Sequence, residues 1–108
     1  MDLNRYRLQL VAAAMAMVCS MASEGAVSNS IEVKDFMFMP TTLMVNAGDK
    51  VTWVNKDDEP HTVVSDTGMF RSGAMDTDES FSFKFDKPGT YHFTCSIHPR
   101  MVGTIVVK

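Results

Sequence analysis

At 108 residues the chain is the right size for a single domain. Its formal net charge is −3, from 10 Lys and Arg against 13 Asp and Glu, which argues against nucleic-acid binding, where clustered positive charge is required. Only two cysteines are present, Cys19 and Cys95, and the first lies in a segment that reads as removable, so no internal disulfide is expected.

The N-terminus carries the marks of an export signal. Arg5 and Arg7 form a positive start, and Leu8 to Val18 is apolar except for Gln9. Ser20-Met21-Ala22 supplies a small-x-small cleavage signal, so residues 1–22 are expected to be a signal peptide. Ala26 is a second, weaker cleavage point, because Glu24 would stand three positions before the cut. The apolar run is short for a transmembrane helix. Removing residues 1–22 gives a mature net charge of −4, with Cys95 as its one cysteine. The expected location is the periplasm.

Residues 23–30 are small and polar and are expected to form a flexible N-terminal segment; the folded domain is expected over 31–108. Ile31 to Phe36 alternates apolar and polar, the period of a half-buried strand. Met37-Phe38-Met39-Pro40 is an apolar exit, where Pro40 ends pairing or confines it to an edge. Thr42 to Val45 reads as a short strand, Asn46-Ala47-Gly48-Asp49 as a turn, and Lys50 to Asn55 as a strand with Val51 and Trp53 on one face. Lys56 to Pro60 is a charged loop, expected to be solvated. His61 to Ser65 is the next strand. Residues 66–79 read as a long irregular loop with room for a short helix. Ser80 to Phe85 alternates strictly, with Phe81, Phe83 and Phe85 on one face. Asp86-Lys87-Pro88-Gly89 is a turn. Gly89 to Thr94 and Val102 to Val107 are the closing strands. Seven or eight short strands, with no helical period, predict an all-β sandwich or small barrel. Its inner face would comprise Trp53, Phe81, Phe83, Phe85, Tyr91, Phe93 and Ile105.

Between the closing strands lies Cys95-Ser96-Ile97-His98-Pro99-Arg100-Met101. A thiol, an imidazole and a thioether stand three residues apart on a loop too short to separate them, since each residue spans at most about 3.6 Å. In an exported chain a lone thiol pairs between molecules, stays free, or is occupied, and a bound metal is the economical choice. Thiolate and thioether are soft donors and suit copper; a His₂Cys set with a weak axial Met is the pattern of an electron-transfer copper centre. The second imidazole must come from elsewhere, and His61 is the candidate. Structural zinc sites hardly ever use Met. His92 has the opposite strand parity to Cys95 and is expected to face away. Met37, Met39, Met69 and Met75 are expected in the core or in an apolar docking patch.

The chain resembles the cupredoxin family of type 1 blue copper proteins, of amicyanin-like type, with plastocyanin and pseudoazurin as wider relatives. The resemblance rests on Gly48-Asp49-Lys50-Val51-Thr52-Trp53-Val54-Asn55, Pro60-His61, Gly89-Thr90-Tyr91-x-Phe93-x-Cys95, Cys95-x-x-His98-x-x-Met101 and Gly103-x-Ile105-Val106-Val107. It implies a Greek-key β-sandwich, one mononuclear copper ion, His61, Cys95 and His98 as equatorial ligands and Met101 as the axial one. It also implies that His98 is partly exposed in an apolar patch, through which electrons pass to and from redox protein partners. Three positions depart from the family pattern. Thr62 stands where Asn commonly ties the two ligand loops, and Ile97 and Arg100 stand where amicyanins carry Pro and Phe. The expected function is a monomeric single-electron shuttle between protein donor and acceptor, without enzymatic activity or a small-molecule substrate. A copper chaperone or scavenger, which transfers the metal itself, is the alternative.

Overall fold

Along Asp49–Asn55 the residues Val51, Trp53 and Asn55 are buried and their neighbours are not, so one side of this strand faces inward and the other outward. The same period of two recurs through the chain. The computed structural model describes residues 29–108; the expected signal peptide lies outside the described residues. In chain order the strands are β1 (Asn29–Lys34), β2 (Met37–Met39), β3 (Thr42–Val45), β4 (Asp49–Asn55), β5 (Val64–Ser65), β6 (Ser80–Phe85), β7 (Gly89–Thr94) and β8 (Val102–Val107). No helix occurs among the described residues, so the room for one in 66–79 is not used.

Two four-stranded sheets stack face to face. One has the order β2-β1-β4-β6 and the other β3-β8-β7-β5. β1 runs parallel to β4, and β3 parallel to β8; the remaining pairs are antiparallel. β2 and β3 are separated only by Pro40 and Thr41, so the chain crosses from one sheet to the other there. The all-β sandwich expected from the sequence is thus present, with eight strands.

Between the sheets, Trp53 lies 5.3 Å from Phe93 and 5.6 Å from Phe70, ring centroid to centroid. Such pairs add about 0.5–1.5 kcal/mol each beyond the burial of their surface. Of the expected inner face, Trp53, Phe85, Phe93 and Ile105 are fully buried, while Phe81, Phe83 and Tyr91 are half-buried against them.

Two expectations need correction. β1 begins at Asn29, two residues ahead of Ile31, and the Asn29 amide donates to Asp49. The strand expected over 61–65 is reduced to Val64–Ser65; His61 makes only an isolated bridge to Met75. Of the methionines expected in the core or on an apolar surface, Met75 joins the core while Met37, Met39 and Met69 are exposed; the alternation of β2 turns Phe38 inward and both of its flanking methionines out.

Candidate metal centre

The centre is built at the end of the sandwich where β7 gives way to β8. The Thr94–Val102 pair closes the hairpin, and Cys95 to Met101 form its loop. Two main-chain bonds tighten it: the Cys95 N–H donates to the Met101 carbonyl at 3.2 Å and the Met101 N–H to the His98 carbonyl at 2.9 Å. The loop therefore folds back on itself. Cys95 and Met101 are buried at its base, and His98 stands half-buried at its crest.

His61 arrives from the loop after β4. Its N–H donates to the Met75 carbonyl and its carbonyl accepts from the Met75 N–H, at 3.1 and 2.8 Å, which pins the backbone. Its side chain is fully buried. The Nε2 atom lies 2.7 Å from Asp57 Oδ2. A carboxylate accepts only, so Nε2 carries a proton, and Nδ1 is the ring nitrogen turned toward Cys95.

His61 Nδ1 is 3.9 Å from Cys95 Sγ, and His98 Nδ1 is 3.8 Å from the same sulfur. These are too long to be good hydrogen bonds. They suit donors grouped around one ion: bonds of about 2.0 Å to nitrogen and about 2.3 Å to thiolate sulfur place the two atoms roughly 3.7 Å apart in a trigonal arrangement. One donor atom from each of His61, Cys95 and His98 lies within 4.8 Å of the others. With Met101 buried beneath, the donor set is that of a type 1 copper site. Three of the four residues singled out in the sequence, His61, Cys95 and His98, are brought to one place, and Met101 is buried in the same loop.

The Cys95 thiol is tuned for this task. Burial alone would push its pKa up. Instead, donation from the Thr62 N–H at 3.3 Å, together with His61, the Thr62 hydroxyl and His98, brings it down from the ordinary 9.0 to about 6. The sulfur is thus ready to bind a cation as thiolate at neutral pH.

Thr62, standing where the family commonly carries Asn, ties the two ligand loops. Its Oγ1 accepts the Ser96 N–H at 2.8 Å, lies 2.8 Å from the Ser96 hydroxyl and reaches Cys95 Sγ at 3.7 Å. The two loops are stitched together by threonine and serine in concert. His92, as expected, is exposed and meets Thr104 Oγ1 at 3.1 Å.

Two neighbours were not foreseen. Asp57 lies in a run that reads as solvated, yet it supports His61 and is largely enclosed. Partial burial would raise its pKa, but the N–H groups of Phe36 and Asp35 and the His61 ring hold it below the usual carboxylate range. Its position four residues before His61 is the one local clue. Phe36 packs against both imidazoles, and nothing in the local pattern marks it. Around His98 the surface forms a cleft of about 400 Å³ lined by Phe36, Ile97, His98, Pro99, Arg100 and Met101.

Comparison with known proteins agrees with this geometry. The cupredoxin-like domain family matches residues 8–107. Amicyanin-alpha of Methylorubrum extorquens is 33% identical over 108 aligned residues, covering 89% of this chain and 87% of the relative. Plastocyanin of Scenedesmus fuscus is 38% identical over 85 residues, covering 67% of this chain and 87% of its own. The crystal structure of amicyanin from Paracoccus versutus superposes with a TM-score of 0.72 at 27% identity, over 81% of this chain and 87% of that one. A sandwich of two four-stranded sheets, with a His-Cys-His cluster between its loops, is thus met in a sequence that these proteins match along most of its length, and the chain belongs to the cupredoxin-like family.

Proposed function

We propose that the protein is a single-electron carrier that holds one copper ion through His61 Nδ1, Cys95 Sγ and His98 Nδ1, with the Met101 thioether as the weak axial donor. Bound copper supplies a Cu(II)/Cu(I) couple. The observation that carries this reading is the convergence of two imidazoles on one buried sulfur whose pKa is lowered to about 6.

Each residue has a definite part. Cys95 offers a soft thiolate, and the Thr62 N–H at 3.3 Å withdraws electron density from its sulfur. His61 is held in one tautomer by Asp57. His98 presents Nδ1 inward, while 29% of its side chain remains exposed in the apolar cleft. That edge is the proposed point of electron exit and entry, with donor and acceptor proteins docking on Ile97, Pro99 and Phe36. The pinned backbones of both ligand loops resist change of geometry between oxidation states. A carrier, rather than an enzyme, is supported by the burial of His61, Cys95 and Met101, which keeps three of the four donors from solvent. Export to the periplasm and a monomeric state complete the proposal; the first is supported by the signal-like stretch over 1–22.

The test is addition of Cu(II) to the purified protein with a visible spectrum, beside Cys95→Ser. An intense blue band, absent in the variant, is expected. A colourless product, or prompt oxidation of the thiol, would overturn the proposal and favour metal delivery, which release of Cu(I) to a chelator then measures.

A further inference from the structure

The β1–β2 hairpin turns through Asp35 and Phe36, with φ of 53° and 58°. Both central residues are therefore left-handed, as in the tight turns that favour Asn-Gly. A phenylalanine there is unusual, since its Cβ crowds the backbone at a cost of about 1–2 kcal/mol. Strain of this kind persists only where surrounding structure enforces it.

The enforcing group is Asp57. Its Oδ1 accepts the Asp35 N–H at 2.7 Å and its Oδ2 the Phe36 N–H at 3.0 Å. The same Oδ2 accepts from His61 Nε2 at 2.7 Å. One carboxylate thus ties the turn to a metal-site imidazole. The Phe36 ring is delivered edge-on to both imidazoles: its centroid is 5.4 Å from His61 at 85° and 4.9 Å from His98 at 86°. The two imidazoles lie 5.0 Å apart, so the three rings form a closed triangle. His98 needs such a brace. It sits on the crest of a loop, and the carboxylate nearest its Nε2, that of Glu59, is 3.8 Å away and exposed. Phe36 itself stays 46% exposed, which a purely structural aromatic would avoid.

We propose that Phe36 is a positioning residue for the metal centre, a strained aromatic brace that fixes the His98 ring plane and is itself locked to His61 through Asp57. The proposal rests on the reading of this cluster as a copper centre, but its first readout requires no metal.

Phe36→Gly separates the two roles the residue could have. Glycine accepts the left-handed backbone freely, so a residue that served only the turn would be replaced with equal or greater thermal stability and an unchanged site. The expected result is retained or raised thermal stability, together with greater mobility of the His98 imidazole in the apo-protein by nitrogen NMR relaxation. In the copper-loaded protein the EPR and visible spectra should shift and electron self-exchange should slow severalfold. Phe36→Tyr keeps the ring and should restore the wild-type values. Asp57→Asn should loosen both the Phe36 turn and His61. Unchanged His98 mobility in Phe36→Gly would overturn the proposal. A colourless wild-type copper protein with the mobility change present would instead refute the copper reading alone.

Discussion

Cys95 concentrates the chemistry, and its surroundings decide its state. Its thiol pKa lies near 6 rather than 9.0, so the apo-protein binds fewer protons than the unfolded chain between those values. The resulting stabilisation is full above the unfolded value, shrinks as pH falls and is gone below about 6. A titration of ultraviolet thiolate absorbance should show its midpoint near 6 in the folded apo-protein and near 9 in denaturant. Thr62→Val removes the hydroxyl that reaches both Cys95 and Ser96 and should move the folded midpoint upward. A second residue-scale constraint sits beneath the loop. Phe93 and Gly103 are paired across β7 and β8, and a methyl group on Gly103 would collide with the Phe93 ring. Gly103→Ala should therefore cost about 1–3 kcal/mol in a denaturant melt. The spacing of Cys95, His98 and Met101 was legible in the chain, because a short loop leaves little freedom. The stitch by Thr62 and Ser96 was not, because it depends on where two distant loops cross.

At the level of elements, the site stands on loops that the strands hold at fixed distances. Asn55, the fully buried end of β4, donates to the carbonyls of Glu59 and Met75 at 2.8 Å each, and its own Oδ1 accepts the Asp57 N–H at 2.9 Å. It staples the loop bearing His61 to the segment that bridges His61. Asn55→Ala would remove three hydrogen bonds, two donated by its amide and one accepted from the Asp57 N–H, and should destabilise the protein by about 3 kcal/mol in thermal or denaturant unfolding. It should also broaden the His61 signals in NMR. Strands β4, β6, β7 and β8 were legible from apolar alternation, which works wherever one face is buried. The segment between β5 and β6 resisted, since Phe70 and Met75 dip into the core from irregular backbone that has no period to read. His61 was assigned to a strand for the same reason: its β-branched neighbours Val63 and Val64 look extended, yet only Val64 and Ser65 find partners on β7.

Across the whole molecule, charge is unevenly distributed. Asp35, Asp57, Asp58 and Glu59 gather at the metal end. Asp76, Asp78 and Glu79 join them there, because Asp78 and Glu79 bond to the Asn55 backbone. Against them stand Lys34, Lys56 and Arg100, and Lys56 is engaged with Asp78 at 2.9 Å. A cationic cobalt complex should therefore oxidise the reduced protein more slowly as salt is added, while ferricyanide should speed up, since screening lengths fall to about 10 Å at 0.1 M. Asp58→Asn with Glu59→Gln should flatten both slopes; Asp66→Asn with Asp86→Asn, an equal change of charge away from that end, should leave them intact. The run Asp57-Asp58-Glu59 beside His61 is legible in the chain, but the approach of Asp35, Asp76, Asp78 and Glu79 to it is not, since the acidic groups are spread over 45 positions from Asp35 to Glu79. The sheet order carries one more consequence. β8 is the latest strand in chain order, yet it lies inside its sheet, between β3 and β7. Until it is synthesised, β3 and β7 are open edges and the hairpin that holds Cys95, His98 and Met101 has only one leg. The loop therefore takes its closed shape only once the last strand to leave the ribosome has slotted in between two strands already made, a non-local pairing of the kind that forms slowly.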